Sequence, residues 1–406
     1  MTDSIMKICL INNLYKPFNR GGAEKITETI ANGLIKAGHK VFIITTKPCG
    51  EKLPTASPEL KVYFLDSCYY NLNKLPKFFR LVWQIWNVFN FVSYFRIKGI
   101  LQKEKCDAVI TNNLMGLGFL TPLAIKKLRI KNLHIAHDIQ LIHPSGLMYY
   151  GEEGIIESSF AKIYSGLCRR LFNSPSAVIF PSNWLKDLYI ERNFFSKSKI
   201  SVLSNPVEDA PEQTKEQSGN FHPVKSQSTI GTQSVFNGVK FLFLGQIEKH
   251  KGIFLLIDAF NKLKEKYPDI ELVLAGDGSK IKEAREKALG NNNIKFLGWP
   301  GDEIANKSLF SANCLVYPSL VYENCPNAIQ RAIATNLPVV ASDLGGIPEL
   351  LNKNAGILFK PADVNDLVEK MEWMIKNKDG LQILNQVNFK VEDYIKELEK
   401  FISSHT

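Results

Sequence analysis

The segment VYENCPNAIQRAIATNLPVVASD, residues 321–343, contains a carboxylate at Glu323 and, eight residues later, a cation at Arg331. A loop with Glu, Pro and Asn precedes a short predicted helix, and that helix leads into a buried strand. The first N–H groups of the helix would be those of Asn327, Ala328 and Ile329. Such N–H groups and the positive end of a helix dipole bind anions. The segment therefore predicts a site for a charged ligand.

Two more segments of the C-terminal half have the composition of ligand-binding loops. GQIEKHKG, residues 245–252, places Lys249 and Lys251 between a predicted strand and a predicted helix, where a phosphate would meet a cation and a helix N-terminus. Solvated lysines without such a role are the alternative. AGDG, residues 275–278, predicts a tight turn that brings the backbone close to a ligand.

The N-terminal half offers two further candidates. In RGGAEK, Gly21 and Gly22 open a predicted helix that presents N–H groups to an anion, and a structural glycine turn is the alternative. In AHD, His137 and Asp138 follow a predicted strand. A lone histidine is more often structural, but the place of His137 at a strand end beside an acid makes a functional role an equal alternative.

Several cofactor signatures are absent from the sequence. It has no GxGxxG or GxxxxGK[ST] stretch, no HExxH or DxD, and no CxxC. We therefore predict neither a nicotinamide cofactor nor a catalytic metal ion. The scattered cysteines, most of them in apolar runs, favour reduced thiols that pack as small hydrophobic side chains in a cytosolic chain. They are Cys9, Cys49, Cys68, Cys106, Cys168, Cys314 and Cys325.

The order of predicted elements favours an α/β protein with two domains. A chain of 406 residues is about twice the length that one hydrophobic core organises. In both halves, continuous Val/Ile/Leu/Phe strands alternate with helices, as in parallel sheets covered on both faces. Ligands bind beyond the carboxyl ends of such strands, which favours a shared cleft over two independent domains.

Changes in composition and in the periodicity of apolar residues place the domain boundaries. The predicted parts are an N-terminal domain at 1–207, a polar linker or mobile loop at 208–238, a C-terminal domain at 239–380, and a C-terminal helix at 381–406 that packs back toward the N-terminal domain.

The charge of the chain narrows the class of partner. A net charge of +10 and a pI near 9.0 favour an anionic partner, which leaves nucleic acid, a phosphorylated substrate or an anionic membrane. The sequence contains no basic aromatic RNA-binding motif and no recognisable DNA-recognition helix. Nucleic acid is therefore the least favoured of the three.

Taken in order, the motifs GQIEKHKG, AGDG, KFLGW, YPSLVYENCPNAIQRAIATNLPVVASDLGGIPEL and AGILF resemble those of glycosyltransferase group 1, also called glycosyltransferase family 4. RGGAEK and AHD resemble its N-terminal donor loop and its acceptor-side histidine. The resemblance spans roughly residues 6 to 380. It implies a GT-B architecture, in which two Rossmann-like domains face each other across a cleft. It also implies a UDP- or GDP-linked sugar donor and transfer with retention, without a metal ion or other cofactor.

The resemblance assigns roles to residues at matching positions. Lys251 would neutralise the donor diphosphate, Glu323 would bind the sugar, and His137 would lie near the sugar and the acceptor; these three are the predicted catalytic residues. Gly22 would approach the donor from the N-terminal domain. The predicted donor-binding residues are Gly21, Gly22, Gln246, Lys251, Gly276, Leu297, Gly298, Glu323, Pro326, Asn327, Ala328, Ile329 and Arg331.

Two positions depart from the family pattern. Gln246 stands where Arg is usual, and Arg331 stands where a second Glu would bind the nucleotide ribose. Losing charge-assisted hydrogen bonds of about 1.5–3 kcal/mol each would weaken binding of an ordinary nucleotide-sugar. Arg331 is expected to bind a phosphate or stack on a base; a different donor, a degenerate site and a purely structural arginine are the alternatives.

Residues 77–98, KFFRLVWQIWNVFNFVSYFRIK, predict an aromatic helix on an anionic membrane surface, and burial against the sheet is the alternative. The predicted membrane-contact residues are Lys77, Arg80, Trp83, Trp86, Phe89, Arg96 and Lys98. The sequence thus predicts a glycosyltransferase on the cytoplasmic face that acts on a lipid-linked or membrane-associated glycan in cell-surface polysaccharide or glycolipid assembly. A catalytically degenerate relative that binds a nucleotide or a protein partner is the alternative.

Overall fold

The computed structural model describes residues 5–18, 21–52, 60–74, 76–208, 238–351, 355–377 and 390–403. The predicted linker at 208–238 therefore lies outside the described residues except at its two ends. The chain divides into two compact units. Unit 1 comprises Met1–Met148, Glu153–Glu208 and Phe389–Thr406, and unit 2 comprises Tyr149–Glu152 and Asp209–Asn388.

Unit 1 contains a parallel sheet. Its strands are β1 (Lys7–Ile11), β2 (Lys40–Pro48), β3 (Lys61–Ser67), β4 (Ala108–Thr111), β5 (Lys131–Ile135), β6 (Ala177–Phe180) and β7 (Lys199–Val202). Among the described residues the sheet order is β3-β2-β1-β4-β5-β6-β7. Every residue of β4 and β6 is buried, as expected for central strands covered on both faces.

Helices cover the sheet of unit 1. They are α1 (Gly22–Lys36), α2 (Lys77–Val88), α3 (Phe91–Glu104), α4 (Thr121–Lys127), α5 (Ser159–Phe172), α6 (Asn183–Ile190) and, at the far end of the chain, α13 (Val391–Ser403). Helix α13 packs directly on α1, where a Cβ at Gly33 would lie 2.6 Å from Val391 Cγ1. Tyr394, Ile395 and Leu398 join the same hydrophobic core as β1 and β5. The last described residues therefore complete the core of unit 1.

The aromatic segment at 77–98 is not the single helix that the sequence predicts. It forms α2 and the first half of α3, which are separated at Phe89 and Asn90. The Asn90 side chain accepts a hydrogen bond from the Ser93 N–H at 3.0 Å, so a new helix begins there. The prediction of one continuous helix is wrong, because this asparagine caps a second helix inside the apolar run.

Unit 2 repeats the architecture with a smaller parallel sheet. Its strands are β8 (Val239–Leu244), β9 (Ile270–Ala275), β10 (Ile294–Gly298), β11 (Cys314–Tyr317), β12 (Val339–Ser342) and β13 (Gly356–Phe359). The order among the described residues is β10-β9-β8-β11-β12-β13. The helices are α7 (Ile253–Lys266), α8 (Ile281–Lys287), α9 (Asp302–Ser311), α10 (Asn327–Ala334), α11 (Ile347–Leu351) and α12 (Val364–Lys376).

Both sheets are doubly wound, because the chain builds outward from a central strand and then resumes on that strand's other side. The strand order reverses between β1 and β4 in unit 1 and between β8 and β11 in unit 2. Open α/β sheets bind ligands beyond the carboxyl ends of the strands at such reversals. The predicted α/β class is confirmed, and the topology directs attention to these two positions.

Candidate functional site

In unit 2, Lys251 and Glu323 form an ion pair at the strand-order reversal. Lys251 ends a 3₁₀ helix, Lys249–Lys251, that follows β8, and Glu323 lies in the loop between β11 and α10. The Lys251 Nζ lies 2.6 Å from Glu323 Oε1. Their side chains are 20% and 16% exposed, respectively, so the pair is only partly solvated. The sequence places both residues in the site but does not predict that they contact each other.

Two hydroxyl groups complete the surroundings of the Glu323 carboxylate. The Tyr317 hydroxyl lies 3.2 Å from Glu323 Oε1 and also accepts a hydrogen bond from Lys251 Nζ at 3.3 Å. The Ser319 hydroxyl lies 3.1 Å from the same Glu323 oxygen. Sequence reasoning missed both residues, although the YPS motif that contains them ends the apolar run predicted as a strand at 314–319.

These contacts hold both members of the pair in their charged forms. Burial acts to raise the pKa of Glu323, but Lys251 and the Ser319 hydroxyl outweigh it and the pKa is lowered. Burial acts to lower the pKa of Lys251, but Glu323 and Tyr317 outweigh it and the pKa is raised. The pKa of Tyr317 is raised by burial and by the neighbouring Glu323, which keeps its proton available for hydrogen bonding.

Close backbone contacts fix the loops that carry this pair. Gly252 has φ +73°, and a Cβ there would lie 1.7 Å from the Pro318 carbonyl oxygen. A Cβ at the predicted site residue Gly276 would lie 1.7 Å from the Gly245 carbonyl oxygen. Only glycine fits either position. The loops after β8, β9 and β11 are therefore packed backbone to backbone.

The remaining donor-binding candidates of unit 2 lie around the same sheet edge. Pro326 precedes α10 and its carbonyl oxygen accepts the Ile329 N–H at 3.1 Å, so this N–H bonds within its own helical turn. Leu297, which is 47% exposed, and Gly298, at φ +71°, end β10. Gln246 lies in the loop after β8, and Asn327 and Ala328 lie in the first turn of α10.

Arg331 contacts the neighbouring helix α9. Its Nη2 donates to Asn306 Oδ1 at 2.7 Å, and its Nη1 lies 3.8 Å from Asp302 Oδ1. The Arg331 side chain is 25% exposed. These contacts give it a structural role between α9 and α10, and binding of a phosphate or base by Arg331 stays a prediction.

In unit 1, two asparagine pairs follow the strands at the other reversal. Asn12 and Asn13 follow β1, and Asn112 and Asn113 follow β4. The Asn13 N–H donates to the Asn113 carbonyl oxygen at 2.8 Å. The repeated NN after two predicted strands is visible in the sequence, and it could have marked this edge.

A hydrogen-bond relay joins His137 to the helix that the glycine turn opens. The Thr27 hydroxyl of α1 donates to the Ala23 carbonyl oxygen at 2.9 Å and accepts from Asn112 Nδ2 at 3.3 Å. The amide orientation leaves Asn112 Oδ1 as an acceptor, and His137 Nε2 lies 3.1 Å from it. With Asn112 Oδ1 as the acceptor, His137 Nε2 is the donor of this hydrogen bond.

Burial sets the charge state of the two residues that follow β5. It lowers the pKa of His137 to about 4, so the imidazole is neutral at pH 7. It raises the pKa of Asp138 to about 6, although the Gln140 N–H at 2.7 Å opposes the shift. Asn113 Nδ2 also lies 3.3 Å from Asp138 Oδ2.

Gly21 caps α1 in the same unit, and Gly22 begins it.

Helices α2 and α3 expose a set of large apolar side chains, which we call the α2–α3 apolar surface. Its members are 41% to 65% exposed: Phe79, Val82, Ile85, Trp86, Phe89, Phe91, Val92 and Phe95. Arg96 is exposed beside it. This finding argues against burial of the segment against the sheet.

The other predicted membrane-contact residues are placed differently. Arg80, Trp83 and Lys98 are half-buried, and the Trp83 ring packs on Tyr69 with centroids 6.1 Å apart. The Lys77 side chain lies outside the described residues. Among the described residues, no helix has the length and apolar character needed to cross a bilayer. The same residues contain no cluster of three or more His, Cys, Asp or Glu side chains suited to a metal ion.

Comparisons with known proteins agree with this architecture. The model described as Glycosyl transferases group 1 matches residues 233–390, and the model described as Glycosyltransferase Family 4 matches residues 20–210. A 42.6 kDa protein from the cps region of Klebsiella pneumoniae is 25% identical over 397 residues, which are 96% of this chain and 99% of that protein. One subunit of human phosphatidylinositol N-acetylglucosaminyltransferase is 24% identical over 91% of this chain and 68% of its own.

Solved structures share the fold at lower sequence identity. Anabaena HepE, in complex with UDP and glucose, has a TM-score of 0.68 and 18% identity, covering 98% of this chain and 100% of its own. Sucrose-phosphate synthase from Thermosynechococcus elongatus has a TM-score of 0.66 and 19% identity, covering 98% and 96%. Together the two family models match most of the chain, which belongs to glycosyltransferase group 1, or family 4, and the solved structures show that its fold is GT-B.

Proposed function

We propose that this protein transfers a sugar, with retention, from a UDP- or GDP-linked donor to a lipid-linked or membrane-associated glycan acceptor. The observation that carries the proposal is the Lys251–Glu323 ion pair, held by Tyr317 and Ser319 at the strand-order reversal of unit 2. It puts a cation and a carboxylate side by side at the edge where ligands bind in such sheets.

This arrangement suits the charges that develop when a sugar leaves a diphosphate. Negative charge grows on the diphosphate, and a positioned cation such as Lys251 stabilises it. Positive charge grows on the sugar ring, and a carboxylate such as Glu323 stabilises it while accepting hydrogen bonds from sugar hydroxyls. Neither residue changes protonation state on this route. Retention follows from same-face attack, in which the leaving phosphate helps to deprotonate the acceptor.

His137 is proposed to serve the sugar and the acceptor. Its imidazole is neutral at pH 7, and the hydrogen bond between Nε2 and Asn112 Oδ1 orients the ring. A neutral ring also adds no positive charge near the developing sugar cation.

Two relatives and one solved structure support the choice of donor and acceptor class. Anabaena HepE has been solved in complex with UDP-glucose. The Klebsiella pneumoniae relative is encoded in a cps region, and the human relative belongs to a phosphatidylinositol N-acetylglucosaminyltransferase. The α2–α3 apolar surface and the adjacent Arg96 fit an anionic bilayer on the cytoplasmic face, where such acceptors would be met.

The proposal is tested with the purified full chain and a panel of UDP- and GDP-sugars. Hydrolysis or transfer should occur with at least one donor, and NMR of the product should show the anomeric configuration of the donor. Lys251→Met and Glu323→Gln should each lower the rate by at least about 100-fold, as loss of a positioned electrostatic group does. Lys249→Met, at an exposed lysine of the same 3₁₀ helix, is the matched control and should keep the native rate. Equal rates for all four proteins would overturn the site assignment.

The degenerate alternative rests on Arg331, which stands where the family has a ribose-binding carboxylate. Its guanidinium group donates a hydrogen bond to Asn306 on α9. Calorimetric titration of the native chain with UDP and GDP separates the two functions. Binding of either nucleotide together with turnover supports the transferase. Binding without turnover of any donor supports the degenerate relative.

A further inference from the structure

The cysteines do not all behave as the sequence predicts. All seven lie within the described residues, and five of them are buried, as expected for small hydrophobic side chains. The two that are exposed, Cys49 and Cys68, lie next to each other with their Sγ atoms 3.6 Å apart. The exposed thiols are therefore a pair, although 19 positions separate them in the sequence.

The sheet holds this pair together. Strands β2 and β3 are parallel neighbours in register through Pro48 and Ser67, and each cysteine is the next residue along its strand. The Tyr70 hydroxyl donates to the Thr46 carbonyl oxygen at 2.9 Å, which fixes the 3₁₀ helix Cys68–Lys74 against β2. Both thiols are thus anchored by strand pairing on one side and by the 3₁₀ helix on the other.

We propose that Cys49 and Cys68 are a thiol modification site that forms an intramolecular disulfide by exchange with a small disulfide such as oxidised glutathione. Bonded sulfur atoms are about 2.05 Å apart. Closing the gap from 3.6 Å needs a movement of about 1.5 Å, which rotation of two exposed side chains supplies.

The exchange balances in two steps. One cysteine thiolate attacks a sulfur of glutathione disulfide, forms a mixed disulfide and releases one glutathione thiolate. The second cysteine thiolate attacks the protein sulfur of that mixed disulfide and releases the other glutathione. Two protein thiols are oxidised, one glutathione disulfide is reduced to two thiols, and the two protons lost by the cysteines are taken up by the released thiolates.

The local charges set how readily the pair reacts. Burial, the hydrogen bond with Cys68 and the Asp66 carboxylate raise the pKa of Cys49, and the Lys47 ammonium acts against them. Lys47 Nζ is itself held by Asp66 Oδ1 at 2.6 Å. The thiol form of Cys49 therefore dominates at neutral pH, and exchange is expected to accelerate as the pH rises.

A disulfide between Cys49 and Cys68 would restrain the 3₁₀ helix that packs on α2, one of the two helices of the α2–α3 apolar surface. Cys68 begins the 3₁₀ helix, and the next residue, Tyr69, packs on Trp83 of α2. The cross-link would tie the start of that helix covalently to the end of β2. The modification site is independent of the sugar-transfer proposal, since its evidence involves none of the residues proposed for catalysis.

The test is to equilibrate the native full chain in reduced and oxidised glutathione mixtures, quench it with acid, block free thiols and digest it with trypsin. Lys52 and Lys61 lie between the two cysteines, so cleavage there separates their peptides unless a disulfide joins them. We expect the number of accessible thiols to fall from two to none, a joined Cys49–Cys68 peptide pair, and faster formation at higher pH.

Single variants Cys49→Ser and Cys68→Ser provide the matched comparison. Each leaves one exposed thiol, so each should stop at the mixed disulfide and retain the mass of one glutathione, whereas the native chain should retain none. If the native chain instead carries glutathione on both cysteines, or if neither thiol reacts while the protein is folded, the proposal is wrong.

Discussion

At the scale of single residues, the Lys251–Glu323 contact changes what substitution should do. A position in a strand-end loop by itself predicts little effect on stability. An ion pair whose side chains are 20% and 16% exposed behaves differently, because removing one partner leaves the other charge poorly solvated. The stability lost on substituting one of the two residues is therefore not a measure of the interaction energy of the ion pair.

We expect Lys251→Met and Glu323→Gln each to lower the free energy of unfolding by about 1–3 kcal/mol, while the double variant loses less than the sum of the two. Urea unfolding of the native chain, both single variants and the double variant measures this coupling. Lys249→Met should stay within about 0.5 kcal/mol of the native chain. Strictly additive losses would show that the 2.6 Å contact contributes no interaction energy.

The relay to His137 gives a second prediction at this scale. Asn112→Asp replaces a neutral acceptor by a carboxylate 3.1 Å from His137 Nε2, and an opposite charge at that distance stabilises the imidazolium. The pKa of His137 should rise from about 4 by at least about one unit, which two-dimensional ¹⁵N NMR of the imidazole measures. Thr27→Val is the companion variant, since it removes the hydroxyl that orients the amide and should mix the tautomers without adding charge. An unchanged His137 titration in Asn112→Asp would contradict the relay.

The same lowered pKa has a consequence for stability in acid. Because His137 is harder to protonate when folded than when unfolded, its contribution to stability is complete above pH 6.5 and is lost as the pH falls toward about 4. The loss should amount to about 1.4 kcal/mol per pH unit in that window. The raised pKa of Asp138 acts in the opposite direction between about 4 and 6. Asn112→Asp should therefore make unfolding less sensitive to acid, as measured by urea midpoints at pH 4.5 and 7.

At the scale of helices, the contact between α1 and α13 leaves no space at Gly33. A Cβ there would lie 2.6 Å from Val391 Cγ1 and 2.8 Å from Ile395 Cγ1. Gly33→Ala should lower the free energy of unfolding by about 1–3 kcal/mol, because overpacking outweighs the higher helix propensity of alanine. Gly166 of α5, whose Cβ would meet nothing within 4 Å, is the matched control, and Gly166→Ala should stabilise by about 0.5–1 kcal/mol. The same sign for both variants in thermal unfolding would contradict the close packing.

Substitutions of Arg331 test whether this residue only joins α9 to α10 or also binds the donor. Its contacts with Asn306 and Asp302 are partly exposed, so Arg331→Ala should cost at most about 1 kcal/mol of stability. If Arg331 also binds the donor, Arg331→Ala should weaken binding of UDP or GDP in calorimetry. Arg331→Glu restores the carboxylate of the family pattern and should strengthen it. Equal nucleotide binding by all three proteins would show that the role of Arg331 is confined to α9.

The sequence predicted the helices and strands that have strong periodicity and left out those decided by single contacts. Apolar runs located both parallel sheets, and the Gly-rich and Lys-rich loops located the edge where Lys251 and Glu323 lie. The break at Asn90 was missed, because capping depends on one side-chain hydrogen bond inside an otherwise apolar segment. The relay through Thr27, Asn112 and His137 was missed, because its members come from three distant segments that only the sheet order brings together.

At the scale of the whole molecule, the α2–α3 apolar surface exposes eight large side chains, and exposed apolar side chains grouped in this way predict binding to a bilayer. The full chain should sediment with vesicles containing anionic lipid at low salt and be released at high salt. Phe91→Ser with Phe95→Ser should weaken this binding, since these side chains are 60% and 65% exposed. Ile163→Ser is the control, because Ile163 is 75% exposed on α5, outside the α2–α3 apolar surface. If the variant with both phenylalanines replaced sediments with the vesicles as fully as the native chain, the membrane prediction is wrong.

Helix α13 also sets an order of events during synthesis. The sheet of unit 2 lies between the second and the third of the stretches of chain that build unit 1, so it leaves the ribosome before Val391–Ser403 does. The face of α1 that includes Gly33 has no partner until then. We expect nascent chains stopped before residue 391 to show a protease-resistant unit 2 and a readily cleaved unit 1. Protection of unit 1 should appear only when Val391–Ser403 is free to dock, so a helix synthesised after the sheet of unit 2 completes a core whose strands were synthesised before it.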